Sequence, residues 1–332
     1  MPPPHRRGAN RRRHRAAVLP ASAGHGPAER AGRPLDAVTG IVLDASPHLL
    51  VLGSAARPGT GGTETRLAMS AATTVWHGGR GGLAVLRPGR SVIVRPRDGG
   101  LGADRVWVDA ERVSGTILAC GKDAVEVDMG PHRGRTHVVI PPRAFERVLV
   151  RHPRLEPGYL IDVICVRSPH GPLAVCPGTS QPGYRADELA APEVGTPAPG
   201  ELRGTVTWFG SAADEAPDGA AYPAVDSEGD AGGCADAPSG CVAFPLLSLG
   251  SEVAVRNECG GRSATVPVVE CGCAAARFCD RCVECDASPR GRIAELTPAA
   301  FVGLGGDLEA GCFNAAVRPG APAAVPGRAA SW

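Results

Sequence analysis

Five cysteines crowd into fifteen residues as Cys271-x-Cys273-x5-Cys279-x2-Cys282-x2-Cys285, and nine of the chain's 12 cysteines fall between Cys234 and Cys312. Thiols at that density support two chemistries. Four thiolates can close a tetrahedral structural zinc site, which leaves no open position for catalysis. Such a site would draw on Cys271, Cys273, Cys279, Cys282 and Cys285 alone, because no histidine follows His170. The same residues can instead be spent on disulfides, as in oxidising compartments. Spacing leaves both readings open. Cys120, Cys165 and Cys176 lie upstream and read as small buried hydrophobes, or as one disulfide and a spare thiol.

The elements that must position this cluster are short strands. Gly204-Thr205-Val206-Thr207-Trp208-Phe209-Gly210 reads as one, and Leu247 to Asn257 as a turn followed by Val253 and Val255 in alternation. Gly261 to Glu270 alternates in the same way at Val266 and Val268. Thr297-Pro298 pairs an N-cap residue with proline in the first helical turn, which opens a short helix carrying Phe301. Leu308-Glu309-Ala310-Gly311 then precedes a last strand from Cys312 to Val317.

In this order, these segments resemble the motifs of the double-psi β-barrel found in expansins and in rare lipoprotein A. The resemblance covers about 110 residues and implies a barrel over residues 201–318. It also implies a polysaccharide groove in which Thr207 and Trp208 contact substrate and two acids face the sugar. The acid positions fall on Glu270 and Glu295, where the family carries aspartates, and the groove aromatic falls on Gly272. A carboxyl pair can cleave a glycosidic bond if one member holds a proton. Each acid here is longer by a methylene, and placement matters to such chemistry. The histidine that the rare-lipoprotein-A branch places before its second motif has no counterpart in Cys241-Val242-Ala243-Phe244. The expectation is therefore a cell-envelope or secreted protein that binds cell-wall glycan or peptidoglycan without cleaving it. The rivals are a glycan-cleaving enzyme using Glu295 as acid and Glu270 as its partner, and a cytoplasmic zinc-stapled interaction module. Barrels of this kind are rich in disulfides, which makes Cys234, Cys241, Cys259, Cys271, Cys273, Cys279, Cys282, Cys285 and Cys312 disulfide candidates and no cofactor necessary.

Upstream, two segments share an order of features about 70–75 residues apart. One runs from Gly40-Ile41-Val42 through Leu86-Arg87-Pro88-Gly89 to Val92-Ile93-Val94. The other runs from Gly115-Thr116-Ile117 through Leu155-Glu156-Pro157-Gly158 to Leu160-Ile161-Asp162-Val163. Each has the size of a small closed barrel and resembles an OB-like module, with Pro-Gly as a turn. Trp76 beside His77 reads as core, and His132 and His137 flank a surface loop holding Arg133 and Arg135. The expected fold is all-β, with two small OB-like barrels at 35–112 and 113–185. A Pro/Ala/Gly-rich linker at 186–200 and the cysteine-rich barrel follow, between disordered tails at 1–34 and 319–332.

Net charge is +1, but from Glu201 to Cys312 there are 17 acidic residues against 7 arginines. That surface repels phosphate backbones, so nucleic acid is not an expected partner of the terminal barrel. No apolar run reaches the length of a membrane span. Ala16 to Leu19, cut off by Pro20, is too short for the apolar region of an export signal.

Overall fold

The structure is a computed structural model that describes residues 37–54, 64–97, 100–188, 200–214, 218–225, 244–272 and 274–320. The expected N-terminal tail, most of the expected linker, and Cys234, Cys241 and Cys273 lie outside the described residues, as does the expected C-terminal tail except Pro319, which ends the last strand, and Gly320. The chain is all-β, with 52% strand and 10% helix. Among the described residues no helix is long and apolar enough to cross a membrane.

The first unit contains β1 (Val38–Ala45), β2 (Leu49–Gly53), β3 (Thr65–Ala68), β4 (Thr74–Trp76), β5 (Arg80–Gly81), β6 (Ser91–Pro96) and β7 (Ala103–Val108). Its sheet runs β3-β2-β1-β6-β7-β4-β5. The second contains β8 (Ala110–Cys120), β9 (Ala124–Asp128), β10 (Arg135–Val139), helix α1 (Pro142–Leu149), β11 (Leu160–Ser168) and β12 (Gly171–Pro177). Its strands close into a ring, β8-β9-β10-β12-β11 and back to β8, with β10 and β12 parallel. Counted within the unit, that order is 1-2-3-5-4-1.

The first unit follows the same path through β1, β2, β3, β7 and β6, but β3 meets the last strand only at the parallel bridge from Ala68 to Gly102. That bridge, with Ala68 N–H donating to Leu101 O at 2.8 Å, closes the expected barrel on that side. The β4–β5 hairpin lies beyond this closure, with β4 paired in parallel to β7 at Thr74–Trp76. The Pro-Gly turns recur in detail. Arg90 N–H donates to Arg87 O (3.2 Å) and Tyr159 N–H to Glu156 O (3.1 Å), with φ of 87° at Gly89 and 88° at Gly158. Proline at the second turn position and positive φ at the third define a type II turn, which glycine adopts without strain. The boundary between the units falls at Asp109, three residues before the expected one, since β8 already begins at Ala110.

The third unit comprises β13 (Leu202–Trp208), β14 (Gly210–Ser211), β15 (Ala220–Tyr222), β16 (Glu252–Asn257), β17 (Ser263–Cys271), β18 (Cys279–Cys282), β19 (Asp286–Leu296), helix α2 (Pro298–Gly303) and β20 (Cys312–Pro319). Six of these strands close a barrel in the order β13-β20-β16-β17-β15-β19-β13. The β13–β19 and β15–β17 pairs are parallel. Val253, Val255, Val266 and Val268 point inward, as alternation predicts. Thr297 stands at the N-cap of α2 with Pro298 behind it, yet its hydroxyl accepts from Gly219 N–H (3.2 Å) rather than capping the helix.

The first and second units each have a core of their own, and the terminal barrel's core reaches into both. The terminal barrel's core is continuous with Trp76, Ile93, Trp107, Ala110, Ile164 and Val166 of the first two. β14 leaves the terminal unit to pair with β8, Gly210 opposite Arg112 and Ser211 opposite Glu111.

Candidate functional site

Register brings the two acids together. Thr207 on β13 lies opposite Glu295 on β19, Glu295 opposite Ala221 on β15, and Ala221 opposite Glu270 on β17. Thr207, Glu295, Ala221 and Glu270 therefore form one row across four adjacent strands. Gly272 follows at the end of β17, and a Cβ there would lie 3.2 Å from the Ala221 backbone, close enough to crowd it.

This row is not an open groove. The β9–β10 turn of the second unit sends Arg133 into it. The guanidinium bridges Glu270 Oε1 and Glu295 Oε2, the latter as a 3.0 Å ion pair without hydrogen-bond alignment, and lies 4.2 Å from the Phe209 ring centroid. Glu295 Oε1 accepts from Arg292 Nη1 at 3.0 Å. Side-chain exposure is 1% at Glu295, 14% at Arg133 and 20% at Glu270. A general acid must give a proton to the leaving oxygen, and a general base needs a free lone pair. Both oxygens of Glu295 already face guanidinium groups, so neither role is open to it in this arrangement.

The charges continue inward in alternation. Arg292, fully buried, donates from Nε to Asp280 Oδ2 (2.9 Å) and from Nη2 to Asp162 Oδ2 (2.6 Å). Asp162 also takes a bidentate pair from Arg112, with Nε at 2.9 Å and Nη2 at 2.8 Å. Arg112 further donates to Gly178 O and to Gly311 O, the latter at 2.7 Å, which ties the second unit to the last turn before β20. Asp280 accepts from Thr179 Oγ1 at 2.7 Å. Burial pushes the Asp162 carboxyl up, but Arg112 and Arg292 outweigh it and hold the group well below the usual carboxylate range. Buried ions persist only when paired and hydrogen-bonded in this way.

Several expected site residues stand elsewhere than in a binding surface. Trp208 is fully buried, its indole N–H donating to Leu308 O at 3.1 Å, so it belongs to the core and has no face for a sugar. Thr207 is also fully buried, with no hydrogen-bond partner for its hydroxyl among the described residues. Trp76 is core, as expected, while His77 lies 2.6 Å from Arg90 and 3.7 Å from Asp109. The loop around His132 carries the arginine that fills the acidic row. Residue spacing gave no sign of the pairs Arg112–Asp162, Arg292–Asp162 and Arg133–Glu295, whose members lie 50, 130 and 162 positions apart. A usable signal was present in Leu160-Ile161-Asp162-Val163-Ile164, where one charge interrupts an apolar run. A lone carboxylate in a buried strand demands a buried cation.

The cysteine loop folds beside this network. Cys259 and Cys285 form a disulfide, with Cα atoms 5.2 Å apart, and Cys271 and Cys279 are each engaged in a disulfide. Those bonds use the thiols of Cys271, Cys279 and Cys285, so the five-cysteine zinc set is not present as free thiols. Cys282 and Cys312, expected among the disulfides, are instead free and buried, as is Cys165, while Cys176 and Cys120 are free at intermediate and exposed positions. The Cys282 Sγ sits 3.5 Å from Cys259 Sγ and 3.9 Å from Cys285 Sγ. A hydrogen bond with Cys312 brings the Cys282 thiol down to about 6, against the opposing effect of burial, with help from backbone contacts at Glu284, Cys285 and Asn314. Compared with known proteins, the chain matches no protein-family model and no curated protein sequence.

Proposed function

We propose that this chain is a non-catalytic protein of the cell envelope that binds cell-wall polysaccharide or peptidoglycan through its terminal barrel. The motif resemblance supplies the ligand class, and the row of Thr207, Glu295, Ala221 and Glu270 agrees with where that resemblance expects a groove. The observation that carries the non-catalytic reading is Arg133, which occupies the space between the two carboxylates. Sugar would then contact the partly exposed rim near Glu270 and Arg133 through hydrogen bonds. The disulfides fit an oxidising compartment.

Co-sedimentation tests the binding. The purified chain is expected to pellet with insoluble peptidoglycan or cellulose and to stay in solution without them. A chain that stays in the supernatant with both polymers overturns the reading.

The enzyme reading has one observation in its favour, the facing of Glu270 and Glu295 across β15. It requires Arg133 to withdraw. Arg133→Ala is expected to release no soluble sugar from either polymer; release by this variant, lost again on adding Glu295→Gln, would revive it.

A further inference from the structure

Cys282 is a free, buried thiol set against a disulfide rather than joined to one. Its Sγ lies 3.5 Å from Cys259 Sγ and 3.9 Å from Cys285 Sγ, so it stands beside that bond and the three sulfurs outline a triangle. All three lie within 4.8 Å of one another. Zinc binds thiolates at about 2.3 Å in a tetrahedral array, which puts neighbouring sulfurs about 3.8 Å apart. The two contacts of Cys282 already have that spacing, and only Cys259 and Cys285 stand closer, because they are bonded. Both lie on turns, Cys259 in the one after β16 and Cys285 in the one between β18 and β19, where side chains can part without breaking a strand ladder. Cys312 hydrogen-bonds to Cys282 Sγ, and so do the backbone N–H groups of Glu284, Cys285 and Asn314. Asn314 Nδ2 donates in turn to Cys285 Sγ at 3.4 Å. Successive amides turned toward one sulfur favour negative charge there, and donors behind the ligands of a metal fix their orientation.

We propose that Cys259, Cys282 and Cys285, once the Cys259–Cys285 disulfide is reduced, hold a zinc ion through three thiolates, with the fourth position open to water on the exposed side of Cys285. This set differs from the one that cysteine spacing suggested, because Cys259 enters from the turn after β16 while Cys271 and Cys279 take no part. A small dithiol reductant breaks the S–S bond, gives two electrons and two protons to the cysteines, and leaves as its cyclic disulfide. Zn²⁺ then displaces the protons of the three thiols, and the loaded site keeps one net negative charge. Soft thiolate ligands select zinc over magnesium or calcium. The site is a metal centre gated by reduction, separate from the carboxylate row and independent of what the barrel binds.

The full-length chain is tested in two arms, one unreduced and one reduced with dithiothreitol and then freed of it under nitrogen. Zinc uptake is titrated against a chromogenic chelator, and cobalt(II) in place of zinc reports thiolate ligation by its charge-transfer absorption. The reduced arm is expected to bind zinc at least tenfold more tightly than the unreduced arm and to show the cobalt–thiolate band. Cys282→Ser and Cys259→Ser should each lose one bound zinc relative to the reduced wild type. Reduced wild type that takes up no zinc overturns the proposal, as does equal uptake in both arms or by Cys282→Ser. If these variants do not fold, alkylation of the reduced wild type by iodoacetamide, mapped by mass spectrometry, decides. Zinc should slow labelling of Cys259 and Cys285 at least tenfold and leave the exposed Cys120 unchanged. Equal labelling of Cys259 with and without zinc removes the site, even where Cys271, Cys279 and Cys285 are protected, since the ion would then belong to the cysteine loop alone.

Discussion

Arg133 decides what the acidic row can do. A cation between two carboxylates relieves their repulsion, and removing it leaves Glu295, 1% exposed, with Arg292 as its remaining guanidinium partner among the described residues. Arg133→Ala is expected to lower the unfolding free energy by about 2 kcal/mol, the scale of a lost charge-assisted hydrogen bond. Urea denaturation would read this as a lower midpoint at unchanged slope. Arg133→Lys keeps the charge but not the fork that reaches two acids at once, and should fall between the two. No change in either variant would mean that the bridge contributes nothing to stability. None of this was legible beforehand. The positions of Glu270 and Glu295 could be read from motif order, but an arginine in a turn looks like any solvated arginine until the fold shows what it faces.

Among the elements, those set by local chemistry were legible and the shortest strands were not. Pro88-Gly89 and Pro157-Gly158 announce type II turns because proline fixes one φ and glycine tolerates the opposite sign. Alternation at Val253, Val255, Val266 and Val268 gave the inward faces. The hairpin β4–β5 was invisible, since two short strands carry little pattern. Thr297 shows a milder failure. The cap position was right, while the hydroxyl found a partner on another loop. Gly89 offers a clean test of the turn, because a Cβ there meets nothing within 4 Å and only backbone conformation is at stake. Gly89→Ala should cost about 1 kcal/mol in denaturation experiments, from forcing an L-residue to positive φ. A neutral result would show that the turn relaxes without penalty.

At the scale of the whole molecule, the second and third units are joined by buried charge as well as apolar packing. Asp162 stands between Arg112 of its own unit and Arg292 of the terminal barrel. Loss of one partner in a buried network costs about 3–5 kcal/mol because the others are left unpaired. Asp162→Ala is therefore expected to lower the thermal midpoint well below that of the wild type. The pH dependence follows from the depressed Asp162 carboxyl. The unfolded chain protonates this group first, near the ordinary aspartate value of about 3.9, so its contribution is whole above that pH. It is lost progressively as pH falls toward the lower folded value. Denaturation midpoints should be insensitive to this group from pH 5 to 7 and fall steeply below about pH 4, with a shallower fall in Asp162→Asn. A wild type as acid-resistant as that variant would contradict the linkage.

The central claim is that the terminal barrel binds wall polymer while its own chain keeps the carboxylate pair from acting. Soluble sugar released from purified peptidoglycan and β-glucan by the wild-type chain, measured beside Glu295→Gln on the same pelleted material, tests it most directly. Release by both proteins at the level of a protein-free blank is the predicted result. Release by the wild type that Glu295→Gln abolishes would contradict it.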